Sequence, residues 1–369
     1  MKHKSHLLLA FLLFLGITLQ AQSGDTYAYS FLNFSSSARL SAMGGKLISV
    51  HDDDPSLILY NPSSIRKDFH TSLFANFTDY FGDACYGSAL YSHTFKKAGS
   101  FAFGLQAVSY GKFTQTDING FEEGKFTAGD YAATAGWGRQ LDSNWSIGAS
   151  LKLIYSDYES YHSFGFACDV AGSYYNPGKR ISLTLLFQNI GTQLKPYTTG
   201  NFEKLPFDIQ FAFSQRLKHL PVRYHITVHS LYKWNLAYVG PDDPTLETDG
   251  MTGELKYPSK ASQFFDNFFR HLVFGIEIIP SKYFSLQFAY NHQRHQEMKI
   301  PQGRSFAGFS YGFSINIHSI QIGFSRMHYA VGAVPNYFTF SCNIEELSNL
   351  SKEKKAKKLQ RVKIENPSN

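Results

Sequence analysis

From residue 70 to residue 343 the chain alternates apolar with small or polar residues in fourteen separate segments, and this period of two is what most narrows its fold. Successive side chains on an extended strand point to opposite faces, so each segment builds one apolar face and one small or wet face. Trp145, Ile147, Ala149, Leu151, Leu153 and Tyr155 fall on one side of such a segment, against Ser146, Gly148, Ser150 and Lys152 on the other. Phe309, Tyr311, Phe313, Ile315 and Ile317 stand in the same way against Gly308, Ser310, Gly312, Ser314 and Asn316. Phe284, Leu286, Phe288 and Tyr290 oppose Ser285, Gln287, Ala289 and Asn291. Helix readings fail on period and on the density of glycine and β-formers.

The predicted strands are 70–79, 84–95, 99–110, 130–141, 144–156, 164–175, 180–190, 206–217, 221–234, 271–280, 283–293, 304–316, 319–329 and 336–343. Most have the length of about 10 residues that a tilted strand needs to cross a bilayer. Short connections (Lys96–Ala98, Asp142–Ser143, Asn176–Lys179, Lys218–Leu220, Ser281–Lys282, His318) alternate with longer ones at 111–129, 157–163, 191–205, 235–270, 294–303 and 330–335. Outer-membrane barrels pair short periplasmic turns with long outer loops and have an even strand count. A secreted β-sandwich array could share the composition but has no reason to alternate its connections. The expected fold is therefore an all-β, membrane-spanning antiparallel barrel of about 14 strands with an N-terminal plug, both termini being periplasmic.

The start of the chain agrees with export. Met1 to Ala21 has basic Lys2 and Lys4, an apolar core from Leu7 to Leu19 and small Ala21, the layout of a cleaved signal peptide. No stretch reaches the roughly 18 uninterrupted apolar residues of a spanning helix. An exported chain without one is soluble or closes a barrel, which satisfies its own backbone in lipid. Aromatics at 16% and 29 glycines in a slightly polar chain favour the barrel. The net charge of +6 sits at the two ends, since Lys352–Asn369 is strongly basic and the leader adds Lys2 and Lys4. The remainder is close to neutral, which points away from a nucleic-acid surface.

The domains follow as a signal peptide at 1–21, a plug at 22–68, a barrel at 69–344 and a basic periplasmic tail at 345–369. The plug is marked by Gly44-Gly45, the acid triplet Asp52, Asp53 and Asp54, and the Asn61-Pro62 stop. Asp54 before Pro55 reads as an N-cap with proline at the first helical position. A cation site on three adjacent aspartates is the sharper alternative, without a ligand loop to complete it. Loop 235–270 holds Pro-Asp-Asp-Pro at 241–244 and then Phe264, Phe265, Phe268 and Phe269 at helical spacing between Ser259 and His271. These four phenylalanines belong either to a helix lying on the rim or to a docking surface for an extracellular partner.

Cys85, Cys168 and Cys342 lie too far apart for a disulfide framework or a metal spacing. No nucleophile elbow, zinc helix or phosphate loop is present, so no cofactor or metal is expected. His225, His229 and His292 with nearby serines are the nearest approach to a barrel enzyme, and they suit lumen-facing polar positions equally well. A non-enzymatic protein is expected.

Several motifs in order, from about Tyr29 to Phe340, make the chain similar to the PorQ-type outer-membrane proteins of the type IX secretion system. They are Phe31-Leu32-Asn33, Ser37-Ala38-Arg39, Gly44-Gly45, the acid triplet with Asn61-Pro62, Tyr110-Gly111-Lys112-Phe113 and Ser160-Tyr161-His162-Ser163-Phe164-Gly165. Asn189-Ile190-Gly191-Thr192-Gln193-Leu194-Lys195-Pro196-Tyr197, Leu205-Pro206-Phe207 and Arg270-His271-Leu272-Val273-Phe274-Gly275-Ile276-Glu277 continue the series. The plug alone resembles that of PorV and, more distantly, of FadL-type fatty-acid channels. It departs from them in Ser63 after Asn61-Pro62 and in Met43 before the two glycines. The resemblance implies an attachment-complex component in the outer membrane, in contact with lipid and lipopolysaccharide. It would hold PorZ beside PorU and PorV, with PorU removing the sorting signal of cargo and joining the cargo to lipopolysaccharide. The alternative is a FadL-like transporter of hydrophobic small molecules, with the plug as gate.

Overall fold

The computed structural model describes residues 27–52, 54–237, 247–248, 255–256, 258–299, 305–350 and 352. The leader, Asp53, the 241–244 stretch and nearly all of the basic tail lie outside the described residues.

In chain order the strands are β1 (Ser72–Asp79), β2 (Cys85–Phe95), β3 (Gly99–Thr116), β4 (Glu122–Gln140), β5 (Trp145–Tyr158), β6 (Tyr161–Asn176), β7 (Ile181–Lys195) and β8 (Asp208–Arg216). There follow β9 (Val222–Val228), β10 (Glu247–Thr248), β11 (Leu255–Lys256), β12 (Leu272–Ser281), β13 (Phe284–Asn291), β14 (Phe309–Ile317), β15 (Ile320–Met327) and β16 (Asn336–Asn343). All but β10 and β11, which pair with each other, form one closed antiparallel barrel. Every barrel strand bonds to its chain neighbours, β9 pairs with β12, and β1 pairs with β16 to remove the last free edge. Each of the fourteen predicted segments coincides with one barrel strand.

The alternation places side chains as the period requires. On β5, Trp145, Ile147, Leu151, Leu153 and Tyr155 are exposed while Ser146, Ser150, Lys152 and Ser156 are buried. The outer face is apolar and the inner face is small and polar, the reverse of a soluble protein.

Two predicted loops are strands. Residues 111–129 continue β3 and β4 beyond their neighbours as a hairpin in which Lys112 pairs with Thr127 and Phe113 with Phe126. Both faces of this hairpin are wet, so burial leaves no period in its sequence; the surviving signal is the Asn119-Gly120 turn, with Gly120 at φ +87°. The 157–163 loop shrinks to Glu159 and Ser160, because Tyr158 already pairs with Tyr161. β7 runs on to Lys195, and β9 stops at Val228, after which Ser230 (φ 56°) turns the chain.

The barrel has a short-turn end, at the start of β1, and a long-loop end. Residues 27–69 run through the lumen between them. Tyr27 and Ala28 lie at the long-loop end, where the Ala28 N–H donates to the Lys204 carbonyl at 3.0 Å. Phe69 and His70 lie at the short-turn end beside Asn343. The plug therefore crosses the lumen from the long-loop end to the short-turn end. An even strand count fixes where β1 begins and β16 ends, but a segment that crosses the lumen before β1 starts at the opposite end.

Candidate functional site

The lumen is occupied by the plug. Ser37 caps helix α1 (Ala38–Ala42), its hydroxyl accepting from the Leu40 N–H at 3.1 Å. Gly44 and Gly45, at φ +77° and +81°, end that helix in the left-handed region open to glycine. Their N–H groups donate back to the Ser41 and Leu40 carbonyls, and the chain reverses. Two short 3-10 turns follow. Asp54 caps Pro55–Leu57 by accepting from the Ser56 N–H, and Asn61 caps Pro62–Ser64 by accepting from the Ser63 N–H. Leu40, Met43, Leu47, Ile48, Leu57, Ile58 and Ile65 are all buried.

A backbone this irregular needs hydrogen-bond partners, and the lumen wall supplies them. Ser88 donates to the Ser36 carbonyl at 2.8 Å, Thr339 accepts from the Ala38 N–H at 2.7 Å, and Ser310 donates to the Ala42 carbonyl at 3.0 Å. Thr227 donates to the Lys46 carbonyl at 2.6 Å, and Ser214 donates to that of Ser49. These partners stand on β2, β16, β14, β9 and β8, so the plug is tied around the barrel. Inward glycines on other strands give it room. A Cβ on Gly148 would overlap the Pro62 carbonyl, and one on Gly138 would overlap that of Ile65.

The strongest tie is a buried ion cluster. Arg39 makes two bidentate pairs, with Glu277 on β12 (3.0 and 3.0 Å) and with Asp52 (3.1 and 2.6 Å), and it reaches Asp54 at 3.0 Å. Arg223 on β9 closes the ring, donating to Asp52 at 2.7 Å and Glu277 at 2.9 Å. Burial alone would raise the Asp52 carboxyl, but the guanidiniums of Arg39 and Arg223 outweigh it and hold this carboxyl well below the usual carboxylate range. Burial likewise opposes charge on Arg39, and the carboxylates of Asp52, Glu277 and Asp54 reverse that effect.

A carboxyl whose pKa falls on folding contributes stability above its unfolded value and loses it as the pH drops toward the folded one. The stability gap between wild type and Asp52→Asn is therefore expected to be the same at about pH 7 and about pH 5 and to shrink only below about pH 4. Thermal unfolding in detergent across that range measures it.

The plug divides the interior. A cavity of about 530 Å³ opens at the short-turn end, with Arg39, Asp52, Arg223 and Glu277 in its lining. Another, of about 330 Å³, opens at the long-loop end and is lined by Phe34, Lys46, Asp208, His229, Arg294 and Met327 among others. There Lys46 donates to Asp208 at 2.8 Å.

Of the residues singled out in the sequence, Gly44, Gly45, Asp52, Asp54, Asn61 and Pro62 all lie in this plug, and Asp53 is outside the described residues. The Asp52 and Asp54 carboxylates are engaged by arginine. His225 pairs with Ser49 at 3.3 Å inside the seam between plug and wall, both residues being buried. His229 lines the long-loop cavity, while His292 belongs to a loop helix, α3 (His292–Met298), so the three histidines form no single site. Cys85, Cys168 and Cys342 are free thiols on three different strands. Arg39, Arg223 and Glu277 were not singled out for chemistry. The available signal was charge at inward strand positions, at Arg223 and Glu277.

The four phenylalanines form one face of α2 (Lys260–Arg270) at the long-loop end. That helix is turned inside out. Its polar side faces the protein: Asn267, only 4% exposed, accepts from the Leu236 N–H at 2.8 Å, and Asp266 pairs with Arg270 (2.7 Å) and His292 (3.2 Å). Burial would raise the Asp266 carboxyl, and the bonds and charge from Arg270 hold it below its ordinary value. Phe264, Phe265, Phe268 and Phe269 point outward at 52%, 59%, 42% and 43% exposure.

No family model and no curated protein matches the chain. Among solved structures the barrel is similar to a deltaS2S3 mutant of the monoaromatic hydrocarbon channel TodX. The identity is 11%, with 84% of this chain and 99% of that one covered and a TM-score of 0.50. The Pseudomonas putida toluene transporter TodX (11% identity, 84% and 98% covered, TM-score 0.49) and a Pseudomonas aeruginosa FadL homologue (10%, 83% and 97%, 0.43) are further matches. The shared feature is the fold, a closed antiparallel β-barrel.

Proposed function

We propose that this chain is a non-enzymatic outer-membrane barrel that works through its long-loop face. It would hold a soluble PorZ-like protein within a type IX secretion attachment complex, beside PorU- and PorV-like proteins and lipopolysaccharide. In this reading the long loops face the cell exterior and the short turns the periplasm. The observation that carries it is the outward phenylalanine face of α2. Covering the exposed half of each such ring is worth roughly 1 kcal/mol, and α2 instead turns its polar face to the barrel. A plug bonded to many strands around the lumen agrees with a protein that acts at its rim rather than through its centre.

The test replaces Phe264, Phe265, Phe268 and Phe269 together by serine in the full-length protein and purifies it from outer membranes. A soluble surface protein is expected to accompany wild type and to be lost from the variant, with heat-modifiable migration showing that the barrel remains closed. Retention of the same partner at wild-type yield would sink the reading.

The comparisons favour a second reading, a FadL-like transporter of hydrophobic small molecules. Its support is the fold shared with TodX, a channel for monoaromatic hydrocarbons, and the cavity at the long-loop end where Phe34 and Met327 meet Lys46 and Arg294. Under this reading the four-serine variant keeps or loses no partner, and deleting the barrel slows uptake of a toluene-class solute by intact cells.

A further inference from the structure

A second cavity at the long-loop end, about 380 Å³, is walled by Tyr27, Tyr29, Tyr110, Tyr158, Tyr161 and Tyr197, with Asp130 and Glu203 as its charged members and no lysine, arginine or histidine in the lining. The rings form a continuous surface. Tyr158 stacks on Tyr197 with centroids 5.4 Å apart, Tyr110 lies 6.0 Å from Tyr158, and Tyr29 lies 6.3 Å from Tyr197. Behind them Asp130 is 1% exposed. It accepts hydrogen bonds from Tyr110 at 2.6 Å, from Tyr158 at 2.7 Å and from Ser156. Among the described residues no lysine or arginine lies within ion-pair distance of it.

A buried carboxylate held only by hydroxyl groups leaves its charge uncompensated, and the field falls on the aromatic faces in front of it. Phenols that donate to a carboxylate are electron-rich, and electron-rich rings attract cations through their faces. Glu203 adds a second negative charge at the wall. The volume falls in the range of small-ligand pockets, about 300–1,000 Å³.

The geometry points to a binding site for a small organic cation, an alkylammonium ion of choline size, seated on the Tyr158 and Tyr197 faces with Asp130 and Glu203 supplying the counter-charge. The site is independent of the rim helix and of either reading above, because none of its lining residues belongs to α2 or to the ion cluster.

Titration calorimetry of the full-length barrel, in a detergent without a choline headgroup, tests it with choline, the uncharged isostere 3,3-dimethylbutan-1-ol and glucose. Choline is expected to bind saturably and the isostere about tenfold or more weakly, the difference being the cation–π and charge contribution. Tyr197→Ala is expected to abolish binding and Glu203→Gln to weaken it about threefold to tenfold. Tyr161→Ala, at a half-exposed position, keeps the test sound if Tyr197→Ala fails to fold; it too should weaken choline. Equal affinity for the isostere, tighter binding of glucose, or no saturable choline binding would overturn the assignment.

Discussion

Arg39→Ala is expected to lower the stability of the plugged barrel by about 3–5 kcal/mol, the usual cost of removing one partner from a buried ion cluster. The guanidinium meets three carboxylates at once, and without it Asp52 and Glu277 share the guanidinium of Arg223 while Asp54 loses its ion pair. The backbone ladder of the barrel does not involve Arg39, so the strands should stay closed while the plug loosens. Chemical unfolding in detergent gives the first number, and protease protection of residues 27–69 reports the second. Arg39→Lys keeps the charge but cannot form two bidentate pairs, so it should fall between wild type and alanine. A stability for Arg39→Ala within about 0.5 kcal/mol of wild type would show that the cluster does not pin the plug.

Gly148→Val is expected to expel the Asn61-Pro62 turn from its seat. The new side chain would enter the space of the Pro62 carbonyl, a backbone atom that cannot swing aside as a flexible side chain can. Burial of Pro62 and Ile65 goes with that turn, so the expected signs are a large fall in thermal midpoint and proteolysis near Ser64. Gly172→Val is the matched control: a Cβ there meets nothing, and the substitution should be silent. Equal behaviour of the two variants would contradict the seat.

The strands were legible because lipid outside and a small-residue lumen inside leave the same period on every one of them. Arg39 and Glu277 are 238 positions apart, and local patterning carries no trace of a pair made across a lumen. Asp54 could be read as a cap since a proline follows it, but Asn61-Pro62, read as a stop, instead caps a second 3-10 turn, and the direction in which the plug crosses the lumen has no local signature. The β3–β4 hairpin was missed for the opposite reason to the strands: water on both faces erases the period. The spacing of Phe264, Phe265, Phe268 and Phe269 announced a helix with an apolar face. Which way that face turns was decided by Asn267, whose amide satisfies the loop backbone at Leu236 and Trp234 and so locks the polar side inward.

That orientation is also where the functional account is most exposed to test. A photo-reactive phenylalanine analogue at position 268 of the full-length chain, activated in intact cells, reads directly what covers the helix. The account predicts one discrete adduct with a soluble protein at the cell surface, lost when the other three phenylalanines are replaced by serine. Adducts with lipid alone, or none, would contradict it.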